Sequence, residues 1–546
     1  MLGVRYLVLP HIDEWRPEIE KRLSKALGAD VTMGEIAASW SGLNPTLALE
    51  NLRLRDRQSN VELLYVPDAF AVVSWRSILN LDLRLRQLEV NGIHVSGSRH
   101  KDGQIVVAST ALDEHSPGKF SLSTDTPAVR WLLSQGEITI RDATFYWMDH
   151  LREAPELVLE GIHFNIINSI FRHQMRVSAS LPQELGSTVE LIARTDNIFN
   201  PLASHEQGEA EIFIEINDAQ LSAWSPWVDL PKTEGRFATR LWLAISSGHV
   251  GRVTMDLVGA HAAVHLSGSD TTVIRAEHLE ARLSGWLGDL FPDNAWMLFD
   301  RSPNRVGVSL NLSGQGLQVD SSLFDPRTLL VGDVSAKTQW NRNASQKLQI
   351  TATQLGLQSD GMRADFRGKW TQGEGLSPGF VDFTGTFNGV DPTKLHQYVT
   401  TEVGAETREW MRRAILNGTV NQLGMTLQGD LSKFPFNEPG SEGGVFRLEG
   451  QLDQVTIDYD YVEPLQPQWP AVTLLSGNLQ FDKLGLTIKS DQAQVIGMHG
   501  RPIQIAGLEV HAPDLDLNPN VSVRLNSSGL AQDYLAMLNR TPIQHD

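Results

Sequence analysis

The chain has 546 residues, 41% hydrophobic and 20% charged, the composition of a folded protein rather than a disordered one. Its formal charge of −19 excludes a nucleic-acid binder, because phosphate neutralisation needs a surplus of lysine and arginine, and it argues against a body lying flat on anionic lipid. The lack of cysteine excludes disulfides, thiolate metal sites and cysteine nucleophiles together.

The first nine residues are mostly apolar but stop at Pro10, whereas a spanning helix needs ~20 apolar residues. They lack the basic flank of a signal peptide. They read either as a buried first element or as the tail of a membrane anchor. Helical spacing follows from Ile12 to Leu27, through Trp15, Ile19 and Leu23, with Pro17 in the first turns and Gly28 as a stop. A shorter helix is expected over Val129 to Leu133. A third helical region runs from about Pro392 to Leu416, broken near Gly404. Almost everything else alternates with period two, the pattern of strands.

A short element recurs along these strands, with apolar residues at i, i+2, i+5 and i+7 around a turn-prone residue at i+4. Its copies are Leu47/Leu49/Leu52/Leu54 around Asn51, Leu88/Val90/Ile93/Val95 around Gly92 and Ile138/Ile140/Ala143/Phe145 around Asp142. Leu157/Leu159/Ile162/Phe164 surround Gly161, and Ile214/Ile216/Ala219/Leu221 surround Asp218. Others lie around His278, Gln354, Lys483 and Gly507. In an unbroken strand the second pair would face away from the first. One extra residue, taken up as a bulge, returns all four to one face. Asn91-Gly92 fits a two-residue hairpin equally well.

About 25 to 30 such strands at ~4.8 Å spacing exceed what an open sheet reaches without curling or splitting. The alternatives are several sandwiches or one long curved antiparallel sheet with an apolar inner face. No linker separates sandwiches; the best boundary candidate is the short loop from Asn437 to Gly444.

No nucleophile elbow, phosphate loop, dinucleotide fingerprint or HExxH motif is present. His261 and His265 have ligand-like spacing but lie in strand-patterned sequence, and Asp458/Asp460 and Asp514/Asp516 read as solvated turns. No enzyme activity, metal or cofactor is expected.

The opening block, Leu9-Pro-His-Ile-Asp-Glu-Trp-Arg-Pro-Glu-Ile19, resembles the segment after the membrane anchor in the YhdP-type, AsmA-like family. So do Gly28-Ala-Asp-Val31, Ile36-Ala-Ala-Ser-Trp40, Pro45-Thr-Leu47 and Trp75-Arg-Ser-Ile-Leu79. Leu416-Asn-Gly418, Lys433-Phe-Pro-Phe436 and Gln468-Trp-Pro-Ala471 follow in the family's order. The resemblance implies a mostly β fold whose curved sheet forms a trough-like apolar groove carrying phospholipid between inner and outer membranes. It also implies a periplasmic protein, held in the inner membrane by an N-terminal anchor missing from this sequence, and a sheet cut short at its C-terminal end. The expected organisation is an anchor-proximal segment and helix over 1–28, a first groove part over 29–390, a helical insertion over 391–417 and a groove continuation over 418–546.

On this reading Leu88, Val90, Ile93, Val95, Ile138, Ile140, Phe145, Leu157, Leu159, Ile162 and Phe164 line the groove against phospholipid acyl chains. Tyr6, Leu9 and Trp15 lie near the membrane; Trp40 and Trp75 fit a membrane interface or, the preferred reading, packing between the first helix and the first strands. No partner on the outer-membrane side is indicated. The alternative is a structural or assembly factor that holds envelope proteins through exposed sheet edges.

Overall fold

Period-two alternation is realised among the described residues as 26 strands of one mixed sheet in the computed structural model. The described residues are 9–57, 60, 62–75, 77, 84–103, 105–109, 131–132, 134–169, 172–196, 209–228, 232–246, 249–266, 272–286, 288, 307–375, 377–401, 403–437, 443–459, 469–497, 500–515, 520–538 and 541. The chain divides into two compact units, Met1–Val258 with Asp293–Asp300, and Gly259–Pro292 with Arg301–Asp546.

The first unit opens with a 3-10 turn over Leu9–Trp15 that runs into α1 (Arg16–Leu27). Pro17 sits in the first helical turn, where its missing N–H costs nothing. Gly28 ends the helix at φ 72°, donating its N–H to the Ser24 carbonyl. Ile19, Leu23 and Leu27 recur at helical spacing and pack into one cluster with Val31, Met33, Ile36, Leu47 and Leu49.

The strands that follow are β1 (Asp30–Thr32), β2 (Glu35–Ser41), β3 (Asn44–Arg55), β4 (Glu62–Val73), β5 (Leu85–Asn91), β6 (His94–Arg99) and β7 (Ile105–Ser109). After them come β8 (Glu137–Asp149), β9 (Leu157–Asn168), β10 (Arg172–Ser180), β11 (Thr188–Asp196), β12 (Glu209–Ala219), β13 (Thr233–Ser246) and β14 (His249–Leu266). From β8 to β13 each strand pairs antiparallel with the next. The expectation of a wholly antiparallel sheet fails at one place. β8 runs parallel to both β5 and β6, because the chain crosses over before it re-enters the sheet. A parallel connection needs a dozen or more residues, and positions 110–136 supply them.

The second unit is a plain antiparallel meander. Its strands are β15 (Thr272–Trp286), β16 (Val308–Asp320), β17 (Thr328–Arg342), β18 (Leu348–Ser359), β19 (Met362–Thr371) and β20 (Phe380–Asn388). They continue as β21 (Ile415–Asp430), β22 (Val445–Ile457), β23 (Val472–Asp482), β24 (Gly485–Ile496), β25 (Pro502–Ala512) and β26 (Ser522–Ser528). The helical insertion holds short turns from Pro392 to Tyr398 and then α2 (Ala405–Ala414), which starts after Gly404. It ends two residues earlier than its apolar spacing suggests, because Ile415 already opens β21. A last helix, α3, covers Ala531–Leu538. The short helix expected over Val129 to Leu133 falls largely outside the described residues, with Trp131 and Leu132 helical.

The recurring element is a bulge in most copies. Asn51, Asp142 and Asp218 take left-handed backbone with φ of 53°, 53° and 57°, as do Gly92, Gly161 and Gly507. The register slips beside them, between Ile140 and Ala143, Ile216 and Ala219, and Ala506 and Glu509. The hairpin alternative at Asn91-Gly92 is resolved against. The Gly92 N–H donates to the Arg141 carbonyl and the Thr144 N–H to the Ile93 carbonyl, so β5 and β6 run on as one bent strand beside β8. Three copies differ. Lys483 lies in the tight turn joining β23 to β24, the bend near His278 is carried by Gly316 on the neighbouring strand, and Gln354 bulges without a left-handed residue.

At the far ends of β6 and β8 a single ion pair is buried. Asp149, 3% exposed, accepts from Arg99 Nε at 3.1 Å and from the Leu151 and Arg152 N–H groups, both at 3.1 Å. Burial alone would raise its pKa, but the guanidinium and the two backbone donors outweigh burial and hold the carboxyl below its usual range. A depressed carboxylate stabilises the fold above its unfolded pKa and loses that contribution as pH falls toward the folded value. Asp149→Asn is therefore expected to cost roughly 1–3 kcal/mol near neutral pH. In denaturant unfolding followed against pH, the gap between its midpoint and the wild-type midpoint should begin to close as pH falls through the unfolded value of about 4 and be closed below the lower folded pKa.

The bulges give a second check. At Gly161 an added Cβ would meet nothing nearer than Ser180 Oγ at 3.8 Å, so any cost of substitution is that of the backbone. Gly161→Val should lose about 1–2 kcal/mol for holding a branched residue at positive φ. Asp142→Gly, in the same conformation, should be neutral or stabilising in the same unfolding assay.

Candidate functional site

In a sheet, residues opposite each other in register share a face, so the strand pairings trace what each face carries. In the first unit one row crosses nine strands, β3 to β5 and β8 to β13, as Leu49, Ala69, Val90, Ile140, Phe164, Val177, Leu191, Ile214 and Leu241. Beside it runs a second, Leu47, Ala71, Leu88, Ile138, Ile166, Met175, Ala193, Ile212 and Leu243. No polar residue interrupts either row. At ~4.8 Å per strand each is ~38 Å long.

The bulges carry the same face past the break. Ala143 lies opposite Ile162, Val95 beside Phe145, Phe145 opposite Leu159, and Trp147 opposite Leu157. All eleven residues expected to line a groove are thus brought together on one face of β5, β6, β8 and β9. Ile93 and Ile138 are buried, at 6% and 5% exposure, and the other nine are half-buried. Leu88, Val90, Val95, Ile140 and Ile162 pack against the cluster that α1 covers. From Val177 to Leu241 the row stays half-buried, although neighbours in the sheet flank every member. A sandwich core would seal these positions; here the face keeps contact with solvent.

The opposite face carries charge. Arg176 pairs with Glu190 at 2.6 Å and Arg240 with Glu215 at 2.8 Å, interrupted by one aromatic patch in which Phe213 and Trp242 lie 5.3 Å apart. This asymmetry is what period two produces when one face carries the charged side chains and the other the apolar ones.

The second unit has its own row, crossing eleven strands from β15 to β25. It reads Ala281, Leu312, Ala336, Leu355, Phe366, Gly385, Met425, Leu448, Phe481, Leu486 and Ala512. Its one gap, Gly385, is filled by the Phe366 ring, which lies where a Cβ would go and meets Phe387 edge-on at 5.0 Å.

The residues expected to line the face stop at β9; Val177, Leu191, Ile214 and Leu241 of the first row and Met175 of the second were not among them, although Ile214 was read as part of a recurring element. The repeat marks bulged strands, and β10, β11 and β13 alternate without one. Plain alternation there was the available signal. Among the membrane-proximal candidates, Tyr6 and the Leu9 side chain lie outside the described residues, and Trp15 is half-exposed at 50%. Among the described residues no group of three or more His, Asp or Glu is placed to hold a metal, and no helix is long and apolar enough to cross a membrane. His261 sits at positive φ, 48°, within β14.

What the site offers is an apolar surface without a reactive constellation. The family model described as YhdP protein matches residues 1–286 and 297–546. The chain belongs to the YhdP family. A relative from Escherichia coli (strain K12), named intermembrane phospholipid transporter YhdP, is 22% identical over 426 residues, which is 71% of this chain and 31% of that protein. The chain thus spans about a third of the length of that YhdP relative. No solved structure matches. Family membership bears out the resemblance read from the opening block of the sequence.

The apolar face sets its own packing test. On β6, Gly97 lies beneath the stacked Phe145 and Trp147 rings, and an added Cβ would stand 2.8 Å from Phe145 Cζ and 3.0 Å from Trp147 Cε3. Gly97→Val should push the two rings off the face and cost about 1–3 kcal/mol, read as a lower unfolding midpoint and a changed near-ultraviolet tryptophan signal.

Proposed function

We propose that this YhdP-family chain conducts phospholipid between the inner and outer membranes, with acyl tails lying along the apolar sheet face and headgroups in water. The reading carries no chemical step. It places the protein in the periplasm, held at the inner membrane by an N-terminal anchor, as part of the outer membrane's permeability barrier. The observation that supports it most is the uninterrupted apolar row across β3 to β13, half-buried over its second half.

The energetics favour such a surface. A diacyl lipid crossing water exposes ~28 methylenes at roughly 0.8 kcal/mol each, a penalty of over ~20 kcal/mol that no useful flux tolerates. An apolar lane removes most of it and requires no acid, base or metal. A bilayer's hydrocarbon core is ~30 Å thick, so one tail spans ~15 Å, and a ~38 Å row holds more than one lipid in line. The trough shape, the eleven lining residues and the division into groove parts and helical insertion belong to this proposal. The relative's name, an intermembrane phospholipid transporter, supports the same substrate class.

A charge in the lane should stop it. Ile140→Asp or Leu191→Asp places an unpaired carboxylate among apolar neighbours and is expected to reduce lipid transfer at least tenfold while the protein remains folded. A photoreactive residue at Leu159 or Leu191 should crosslink phospholipid in cells, and one at Glu190, on the charged face, should not. Crosslinking from Glu190 with none from Leu159 or Leu191 would overturn the proposal.

A further inference from the structure

The apolar face of the first unit runs out at the β2–β3 hairpin, where Trp40 and Pro45 continue it beyond Ala38 and Leu47. From Ile36 to Leu49 the sequence carries no charged residue, in a chain that is 20% charged. Gly42 turns the hairpin at φ 61°, with nothing within 4 Å of the position its Cβ would take. Leu43, next to it, is 68% exposed, the highest of any large hydrophobic residue among those described.

Behind this tip stand two indoles. Trp40 pairs in register with Pro45, next to Ala38 and Leu47, so it lies on the apolar face, and its ring centroid is 6.1 Å from that of Trp75. The Trp75 Nε1–H donates to the Leu43 carbonyl at 3.1 Å, and the Ser39 and Thr46 hydroxyls meet at 2.6 Å across the hairpin. The tip is therefore braced, and its outermost carbonyl is already satisfied. Trp40 and Trp75 pack against each other at the hairpin, and both remain half-buried rather than sealed.

We propose that this hairpin tip is a contact site for the interfacial zone of a phospholipid bilayer, with Leu43 entering the acyl boundary and the two indoles at headgroup level. Three observations select a bilayer as the occupant. Indole is favoured at the boundary between headgroups and tails, where its apolar body and N–H are both accommodated. A satisfied carbonyl can approach hydrocarbon without the cost of an unpaired acceptor. A protein of net charge −19 is repelled by anionic lipid over most of its surface, which leaves an uncharged projection as the element able to touch it. The inference stands without the transport reading, since it concerns attachment rather than passage along the face.

The absence of cysteine makes the test clean. Leu43→Cys, carrying a nitrobenzoxadiazole label, is added to vesicles of phosphatidylethanolamine with a minor fraction of phosphatidylglycerol. The expected result is a blue shift and a several-fold rise in emission, quenched better by lipid bearing a nitroxide near its headgroup than by one bearing it at the tail end. Ala344→Cys, in the polar turn between β17 and β18, should show no change. Leu43→Asp should weaken co-flotation with vesicles about tenfold, the ratio that ~1.4 kcal/mol gives, and Ile140→Asp should leave it intact even where transfer is lost. No response at position 43, an equal response at position 344, or full flotation of Leu43→Asp overturns the proposal.

Discussion

Everything in this fold depends on register. A strand has two faces, and a slip of one residue exchanges them along its whole length. The row from Leu49 to Leu241 survives nine strands only because each hydrogen-bonded ladder is locked at the register that keeps Val90 on Ile140 and Val177 on Leu191. The bulges do not contradict this rule. Asp142 and Gly161 insert one residue each in facing strands, so Ile140 and Ala143 both stay on the apolar side, as do Leu159 and Ile162. Without those left-handed residues the same sequence would turn Ala143 and Phe145 toward Arg141 and the charged face.

Much of this was legible because the pattern is simple chemistry. Asn, Asp and Gly at the fifth position of the repeat are the residues that tolerate positive φ, so Asn51, Asp142, Asp218 and Gly161 announced breaks before any coordinates, whereas Gly92 fitted a hairpin equally well. Family membership was readable from the opening block alone. The parallel entry of β8 was not readable, because period two is the same in parallel and antiparallel strands and the crossover has no signature of its own. Lys483 shows the opposite failure. Its local spacing is that of a bulge, but Lys483, at φ 54°, turns the chain back between the paired Asp482 and Gly485, and a hairpin results.

A sheet that leaves one apolar face half-exposed must draw its stability from elsewhere. In the first unit, α1 closes the start of the face with Leu23 and its neighbours, and the cluster beneath it contains the best-buried members of the row, Leu49 at 7% and Ala69 at 3%. In the second unit the compensation lies along one edge. Val420, Leu452, Leu474, Ala493 and Ile505 form a sealed cluster near the strand ends, while Leu448, Leu479, Ile488 and Val510, only partly buried, pack against it. Burial of a Val, Leu or Ile side chain contributes about 1.5–3 kcal/mol, so a few such clusters offset many half-exposed neighbours.

This division explains why small residues recur on the apolar face. Where the sheet is sealed, Ala69 and Ala71 bring the cluster close. Where it is open, Gly97 and Gly385 let aromatic rings lie flat across a neighbouring strand instead of standing upright. A ring laid flat covers backbone that an acyl tail would otherwise have to desolvate, and it leaves the surface smooth along the row. A larger residue at either glycine would raise a step in that surface without introducing any charge. Continuity of the face therefore rests on shape as well as on hydrophobicity, and the two glycines carry the shape.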